Sequence, residues 1–191
     1  DLCGVLNYEE VVRDHAMRTQ AGVFGITATT PQMPAAMKIL NAIRCEKPFA
    51  RVILGGPHAT LVHAAYRKEK EIGRATVALA RLTSQFNVVV AGDGELAIFD
   101  AVRDVSPRLI DADDPDQPLF MTRGQVEEAP WPARHLIDLA SYHYKIDGER
   151  STSLIAQLGC PFSCAFCGGR ASPMLRRVRT RSTENIVAEM R

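Results

Sequence analysis

Three cysteines stand close together near the end of the chain, and they are the residues best suited to chemistry. Cys160, Cys164 and Cys167 follow the spacing C-x3-C-x2-C. Thiolates are soft ligands for iron–sulfur clusters or zinc, and this spacing lets one loop curl three sulfurs around a single metal centre. On a four-iron cluster, three protein ligands leave one iron open for a substrate or cofactor. The spacing therefore favours a metal centre with an open coordination position.

Two alternatives remain for this cysteine cluster. A structural zinc site needs four ligands and usually pairs its cysteines two by two, yet Cys3 and Cys45 stand singly and His143 would have to reach back across a predicted strand. A purely structural trio of buried cysteines is the second alternative. Gly159 and the pair at 168–169 bracket the loop and would let backbone approach a bulky cluster closely.

The stretch 159–167, GCPFSCAFC, resembles the signature of radical S-adenosylmethionine enzymes, including the aromatic residue before the last cysteine. The resemblance implies that the three cysteines bind a four-iron, four-sulfur cluster whose open iron is chelated by S-adenosylmethionine. It also implies reductive cleavage to methionine and a 5′-deoxyadenosyl radical, with an electron donor such as flavodoxin or ferredoxin. By the same resemblance, Phe166 lies near the adenine.

The elements upstream of the cysteines alternate between strands and helices. Apolar, β-branched runs at 22–30, 51–55 and 87–91 predict buried strands, while 63–84 predicts one or two solvated helices and 96–102 a further helix. Strands that are apolar throughout, separated by helices, indicate a parallel sheet covered on both faces. We therefore expect an α/β, Rossmann-like domain.

Three loops follow these strands, and the carboxyl ends of parallel strands are where such sheets bind ligands. Small residues there permit close approach to a flat, bulky molecule, and polar side chains could bond its edge. The candidate cofactor contacts are Thr29, Thr30, Gly55, Gly56, Pro57, His58, Gly92, Gly94 and Glu95. Each loop taken alone is more often only a tight turn; Thr30 can cap the helix that follows it, and His58 is equally explained as a helix cap.

Ahead of the cysteine cluster, these loops together resemble the cobalamin-binding domain of one large class of radical S-adenosylmethionine enzymes. The resemblance includes 130–134, PWPAR, between the two domains. It implies cobalamin as a second cofactor that carries a methyl group to an unactivated carbon or phosphorus. The Asp-x-His-x-x-Gly motif of other cobalamin proteins is not found in the sequence, and the first strand of that domain is expected to be missing.

The predicted organisation has three parts. Residues 1–104 form the cobalamin-binding domain, 105–150 a proline-rich connection, and 151–191 the beginning of a radical S-adenosylmethionine β/α barrel. In the last part, 153–158 predicts a buried strand, and Ser182 or Thr183 predicts the cap of a final helix.

Charge and hydropathy exclude some partners. The formal net charge is +1, and the sequence has no apolar run of the roughly 20 residues that a membrane-spanning helix needs. We therefore expect a cytoplasmic protein without a membrane span. The basic run at 176–181 could grip RNA phosphates, but such a run is more often solvated or paired with carboxylates, and it lacks interleaved aromatic residues.

The function expected from the sequence is cobalamin-dependent radical methyl transfer to a small molecule or peptide. One alternative with the same cofactors is a cyclisation or rearrangement without net methylation. An alternative of another class is a non-catalytic cobalamin carrier or sensor in which the cysteine loop holds a structural metal.

Overall fold

The computed structural model describes residue 2 and residues 4–191, so Cys3 lies outside the described residues. A sheet of four parallel strands forms the centre of the N-terminal part, in the order β1-β2-β3-β4. The strands are β1 (Val23–Thr27), β2 (Arg51–Gly55), β3 (Val88–Gly92) and β4 (Leu109–Ala112). The helices are α1 (Tyr8–Arg18), α2 (Met33–Glu46), α3 (Pro57–Tyr66), α4 (Arg74–Gln85), α5 (Gly94–Ala101), α6 (Arg123–Glu128), α7 (Pro173–Arg176) and α8 (Thr183–Met190).

The predicted α/β domain with a parallel sheet is confirmed, but the sheet extends further along the chain than expected. β4 lies inside the stretch that was expected to be a connection. It pairs in parallel with β3, with Val89 opposite Leu109 and Gly92 opposite Ala112. Pro107 and Pro115 flank this strand without interrupting it, so the prolines limit its length and do not prevent it. The N-terminal sheet therefore continues past residue 104.

The core lies on both faces of the middle strands. In β2, Val52 and Leu54 are fully buried with Leu40 of α2, while Ile53 between them packs on the opposite face with Ala97 of α5. Alternate residues of a strand point to opposite faces, so a strand that is apolar throughout must be covered twice. Burial of each such Val, Leu or Ile side chain contributes roughly 1.5–3 kcal/mol.

Strand β1 departs from the expected two-sided cover. Phe24 and Ile26 are half-buried against the core, whereas Val23, Gly25 and Thr27 are exposed. β1 is an edge strand whose partner is β2 alone, so the described elements cover one of its faces. Both faces are therefore covered by other elements only for the strands in the middle of the sheet.

The helix predictions are confirmed with small shifts in their bounds. The predicted segment 63–84 covers the end of α3 and most of α4, and its charged run at 67–71 lies in the break at 67–73 between these two helices. Before α2, a 3₁₀ turn covers Thr30–Gln32, and the backbone N–H of Thr29 donates to the side chain of Gln32 at 2.9 Å. The predicted cap at Thr30 is therefore wrong by one residue, because the extra 3₁₀ turn moves the cap to Thr29.

Helix α1 was not predicted from the sequence. Its Ala16 is its one buried residue among those described, and it is anchored to α2 by ion pairs between Arg13 and Glu46 at 3.0 Å and between Lys38 and Glu9 at 2.9 Å. With Ala16 fully buried and Val12 half-buried against the core, α1 offers little apolar periodicity to detect. Among the described residues, no helix is both long and apolar enough to cross a membrane.

The C-terminal part contains short antiparallel pairs. Strand β5 (Lys145–Ile146) pairs with β6 (Glu149–Arg150), and β7 (Gln157–Leu158) pairs with β8 (Arg179–Thr180). The predicted buried strand at 153–158 is wrong: its last two residues alone form a strand, and Ile155 is 61% exposed because no described element covers it. The predicted cap of α8 is confirmed, since Ser182 Oγ accepts the N–H of Asn185.

Candidate metal and cofactor site

The cysteine loop leaves β7 through a glycine that the fold requires. Gly159 has φ +80°, and a Cβ at this position would lie 2.1 Å from the carbonyl oxygen of Arg177. One residue later, the N–H of Cys160 donates to the carbonyl of Leu175 at 3.1 Å. The start of the loop is therefore held against the segment that leads into β8.

All three candidate ligands are free thiols. Cys160 and Cys164 are exposed and Cys167 is half-buried, with a turn in which the Cys167 N–H donates to the Cys164 carbonyl at 3.1 Å. Within the described part of the chain, no three His, Cys, Asp or Glu side chains are close enough to form a ready metal site. The donor chemistry thus fits a thiolate-bound metal, and the exposed loop leaves the sulfurs free to converge when a metal binds.

Two arginines hold the backbone of the cysteine loop. Arg170 Nη1 donates to the carbonyl of Ala165 at 2.5 Å. Arg176 Nη2 donates to the carbonyl of Pro161 at 3.1 Å and to the hydroxyl of Ser163 at 3.2 Å. These contacts place two positive charges on the loop that carries the cysteines, and positive charge on this loop would favour an anionic cluster bound there.

Phe166, predicted to lie near an adenine, is 93% exposed. Its ring lines an open cavity of about 570 Å³ between the cysteine loop and α3, together with Cys167, Lys68 and Glu69. The cysteine loop therefore lies beside a helix of the N-terminal domain, and Phe166 is accessible to a ligand at this junction.

The three candidate cofactor loops meet at one edge of the sheet, as predicted. Thr30 Oγ1 and His58 Nδ1 are 3.0 Å apart, and the backbone N–H of His58 donates to the carbonyl of Ala28 at 3.0 Å. The third loop joins them through the Gly92 N–H, which donates to Thr60 Oγ1 at 3.0 Å. Burial lowers the pKa of His58, which favours its neutral form as a hydrogen-bonding group.

The glycines of these loops divide into two kinds. Gly56, at φ +90°, would place a Cβ 2.3 Å from Thr27 Oγ1, and Gly92, at φ +98°, would place one 2.1 Å from backbone at the end of β4. The fold alone explains these two. A Cβ added at Gly55 or Gly94 would have no neighbouring atom within 4 Å. Those two leave room for a ligand to approach the strand ends.

The remaining loop candidates lie on the surface of this edge. Thr29, Pro57 and Glu95 are exposed, with Glu95 in the first turn of α5. The side chains of Thr29 and Glu95 are accessible from solvent, which a polar contact to the edge of a large cofactor requires. The structure thus gathers the nine predicted residues at one edge of the sheet.

Sequence reasoning missed Asp113, which follows β4. Its carboxylate is fully buried and accepts hydrogen bonds from Ser172 Oγ at 2.5 Å, the Met174 N–H at 2.8 Å and Arg67 Nη2 at 2.5 Å. Burial raises the pKa of Asp113, while the bonds from Ser172 and Met174 act in the opposite direction. An aspartate directly after a buried strand could have indicated this site, but strand β4, which precedes Asp113, had itself not been predicted.

His63 of α3 was also missed. Its side chain is buried, with Nδ1 3.6 Å from Asp111 Oδ1 and no hydrogen-bond partner among the described residues. Burial lowers the pKa of His63, and the charge of Asp111 opposes this effect. The lowered pKa of His63 favours its neutral form at this buried position in α3.

The basic run is largely occupied by internal contacts. Arg179 pairs with Asp93, and Arg181 pairs with Glu189, whose side chain is 2% exposed. Arg177 is exposed and lies 5.7 Å from the centre of the Phe120 ring. The run thus does not form a continuous phosphate-binding face.

The stretch that resembles an interdomain motif docks onto the last helix. Trp131 Nε1 donates to Asn185 Oδ1 at 2.9 Å, and Arg134 forms an ion pair with Glu189 at 2.7 Å. The connection is therefore attached to α8 and not free in solvent.

Comparison with known proteins links the chain to a protein that is named a methyltransferase. No protein-family model matches the chain, and no solved structure matches it. An uncharacterized methyltransferase of Pyrococcus horikoshii is 26% identical over 182 aligned residues, which cover 88% of this chain and 36% of the relative. The chain is therefore similar to about a third of a protein that is named a methyltransferase.

Proposed function

We propose that this chain belongs to a cobalamin-dependent radical S-adenosylmethionine enzyme, and that the enzyme is a methyltransferase. The observation that carries the proposal is the set of three free cysteines, spaced C-x3-C-x2-C, in one exposed loop beside an α/β domain. The similarity to a protein named a methyltransferase supports the methyl-transfer part. Because the chain spans 36% of that relative, the activity of the whole protein is part of the proposal.

Two neighbouring regions would bind the cofactors: the cysteine loop and the loops at the strand ends. Cys160, Cys164 and Cys167 would hold a four-iron, four-sulfur cluster, and Phe166 would contact S-adenosylmethionine. When bound, these groups supply a carbon-centred radical, and cobalamin supplies a transferable methyl group. The exposure of the loop leaves an electron donor access to the cysteines, while the strand-end loops offer Gly55 and Gly94 as the open positions for cobalamin.

The test is anaerobic reconstitution of the full-length protein with iron and sulfide. We expect four iron and four sulfide per chain, and cleavage of S-adenosylmethionine after reduction. Cys164→Ala removes one ligand and should abolish both. The matched control is Cys45→Ala, which changes an exposed free thiol on α2 and should leave both intact. A colourless, iron-free protein, or one that holds zinc with a fourth side chain, contradicts the proposal.

Product mass distinguishes the possible outcomes of the radical. With S-adenosylmethionine carrying a deuterated methyl group, methyl transfer adds a labelled methyl to the substrate. A cyclisation or rearrangement leaves the substrate without the label. A protein that binds cobalamin but neither assembles a cluster nor cleaves S-adenosylmethionine would be the carrier or sensor instead.

A further inference from the structure

A buried ion pair joins the sheet to the C-terminal segment. Asp93 follows β3 inside the loop 92–95, and Arg179 lies in β8, 86 residues later. Arg179 Nη1 donates to Asp93 Oδ2 at 2.5 Å, and Nη2 donates to Oδ1 at 3.1 Å. The two side chains are 2% and 3% exposed. The pair is bidentate and fully removed from water.

The surroundings of this pair make it a junction of three segments. The backbone of Met121 contributes a carbonyl that accepts from Arg179 at 2.9 Å and an N–H that donates to Asp93 at 2.9 Å. The Phe120 ring lies 4.6 Å from the guanidinium carbon. A further bond runs from Arg179 to the carbonyl of Met174 at 3.3 Å. The end of β3, residues 120–121 and the segment 174–179 are thus fixed to one another.

The same segment carries the cysteine loop. It supplies the Leu175 carbonyl that holds Cys160, and the Arg177 carbonyl against which Gly159 packs. A second carboxylate, Asp113, binds the beginning of the segment at Ser172. The carboxyl ends of β3 and β4 therefore hold the segment at two points, and the segment in turn holds the start of the loop.

We infer that Asp93 and Arg179 are positioning residues that fix the cysteine loop relative to the cofactor-binding edge of the sheet. The inference rests on the proposed function, because it assigns the pair the task of aligning the metal centre with the cofactor at the strand ends. A buried pair contributes little net stability compared with an apolar pair of the same size, but its forked geometry specifies one arrangement. Asp93 thus takes no part in ligand binding, although its loop neighbours Gly94 and Glu95 remain open to one.

The test compares two variants of the pair with a matched control in the full-length protein. Asp93→Asn removes the charge with little change in shape, and Arg179→Lys keeps the charge but loses the fork. The control is Asp100→Asn. It makes the same change in α5, where Asp100 forms a more exposed ion pair with Arg103. Two quantities are measured: hydrogen exchange of residues 157–180 without metal, and methyl transferred to added cobalamin per S-adenosylmethionine cleaved in the reconstituted protein.

We expect Asp93→Asn to raise hydrogen exchange in 157–180 at least tenfold while exchange in β1 and β2 is unchanged. In the reconstituted protein, the ratio of methyl transfer to cleavage should fall at least tenfold while cleavage itself persists. Arg179→Lys should fall between the native protein and Asp93→Asn in both measurements, and it serves alone if Asp93→Asn does not fold. Asp100→Asn should change neither.

Unchanged exchange in 157–180 for both variants would overturn the inference, as would loss of cleavage and transfer in equal proportion, which a merely structural role predicts. Hydrogen exchange needs no metal, so it tests the junction even if native protein binds no iron. In that case the proposed function fails, and the inference fails with it only in its statement about the cofactor. If native protein binds no iron, faster exchange in Asp93→Asn would still show that the pair fixes the segment 157–180 to the sheet, but it would refute the assigned task of aligning a metal centre.

Discussion

The clearest perturbation of the cysteine loop is a single methyl group at Gly159. The residue precedes the first cysteine, has φ +80° and packs against the backbone of Arg177. Gly159→Ala adds a Cβ that would lie 2.1 Å from the Arg177 oxygen and 2.5 Å from its carbonyl carbon. Both atoms belong to backbone, so neither can turn aside as a flexible side chain would.

The size of the effect follows from three costs. A left-handed backbone costs an L-residue about 1–2 kcal/mol relative to glycine. Relief of the clash must separate two backbone segments by roughly 1 Å, which breaks the short β7–β8 pairing or the bond from Cys160 to Leu175, each worth about 1 kcal/mol. The total is about 2–4 kcal/mol, which corresponds to an ordered loop that is about 30-fold to several hundredfold less populated.

Iron content after anaerobic reconstitution measures this effect, with thermal unfolding of the α/β domain as a check on global folding. The matched control is Gly168→Ala in the same loop, where the new Cβ would meet Leu61 side-chain atoms at an ordinary 3.7 Å. We expect Gly159→Ala to lose cluster binding while Gly168→Ala retains it. Native iron content in Gly159→Ala, with the domain folded, would refute the claim that this glycine shapes the loop.

Two further predictions concern charge. Because burial lowers the pKa of His63, and also that of His58, the unfolded chain binds protons that the folded chain does not, so the free energy of unfolding should fall as the pH drops below about 6.5. Denaturant titrations at a series of pH values measure this dependence. His63→Gln should flatten the fall in the free energy of unfolding, whereas His143→Gln, on the exposed connection, should not. Equal pH dependence in the native protein and both variants would show that His63 is not the group responsible. In the reconstituted protein, Arg176→Gln should lower the midpoint potential of the cluster by on the order of tens of millivolts, since it removes a positive charge beside an anionic centre. Arg177→Gln, which changes an exposed arginine, should shift the potential less, and the reverse ranking in an anaerobic redox titration would show that the contact of Arg176 with the loop does not matter.

Much of the fold could be predicted because its signals are local. The apolar runs of β2 and β3, and the hydroxyl of Ser182 at the start of α8, act through neighbours a few residues away. Strand β4 escaped prediction because its four residues are short and proline-flanked, and its pairing with β3 supplies the hydrogen bonds that make it a strand. The buried strand predicted at 153–158 was wrong because an apolar sequence forms a buried strand only where another element covers it.

The sequence by itself determined the donor set: three cysteines at a fixed spacing, together with small residues after successive parallel strands. The tertiary structure decided what each residue does at the junction. It assigned Gly56 and Gly92 to close backbone contacts, left Gly55 and Gly94 open, and turned Asp93 toward Arg179. Local spacing fixes which groups lie in a loop, but the direction of a side chain depends on a partner that only folding brings within hydrogen-bond distance.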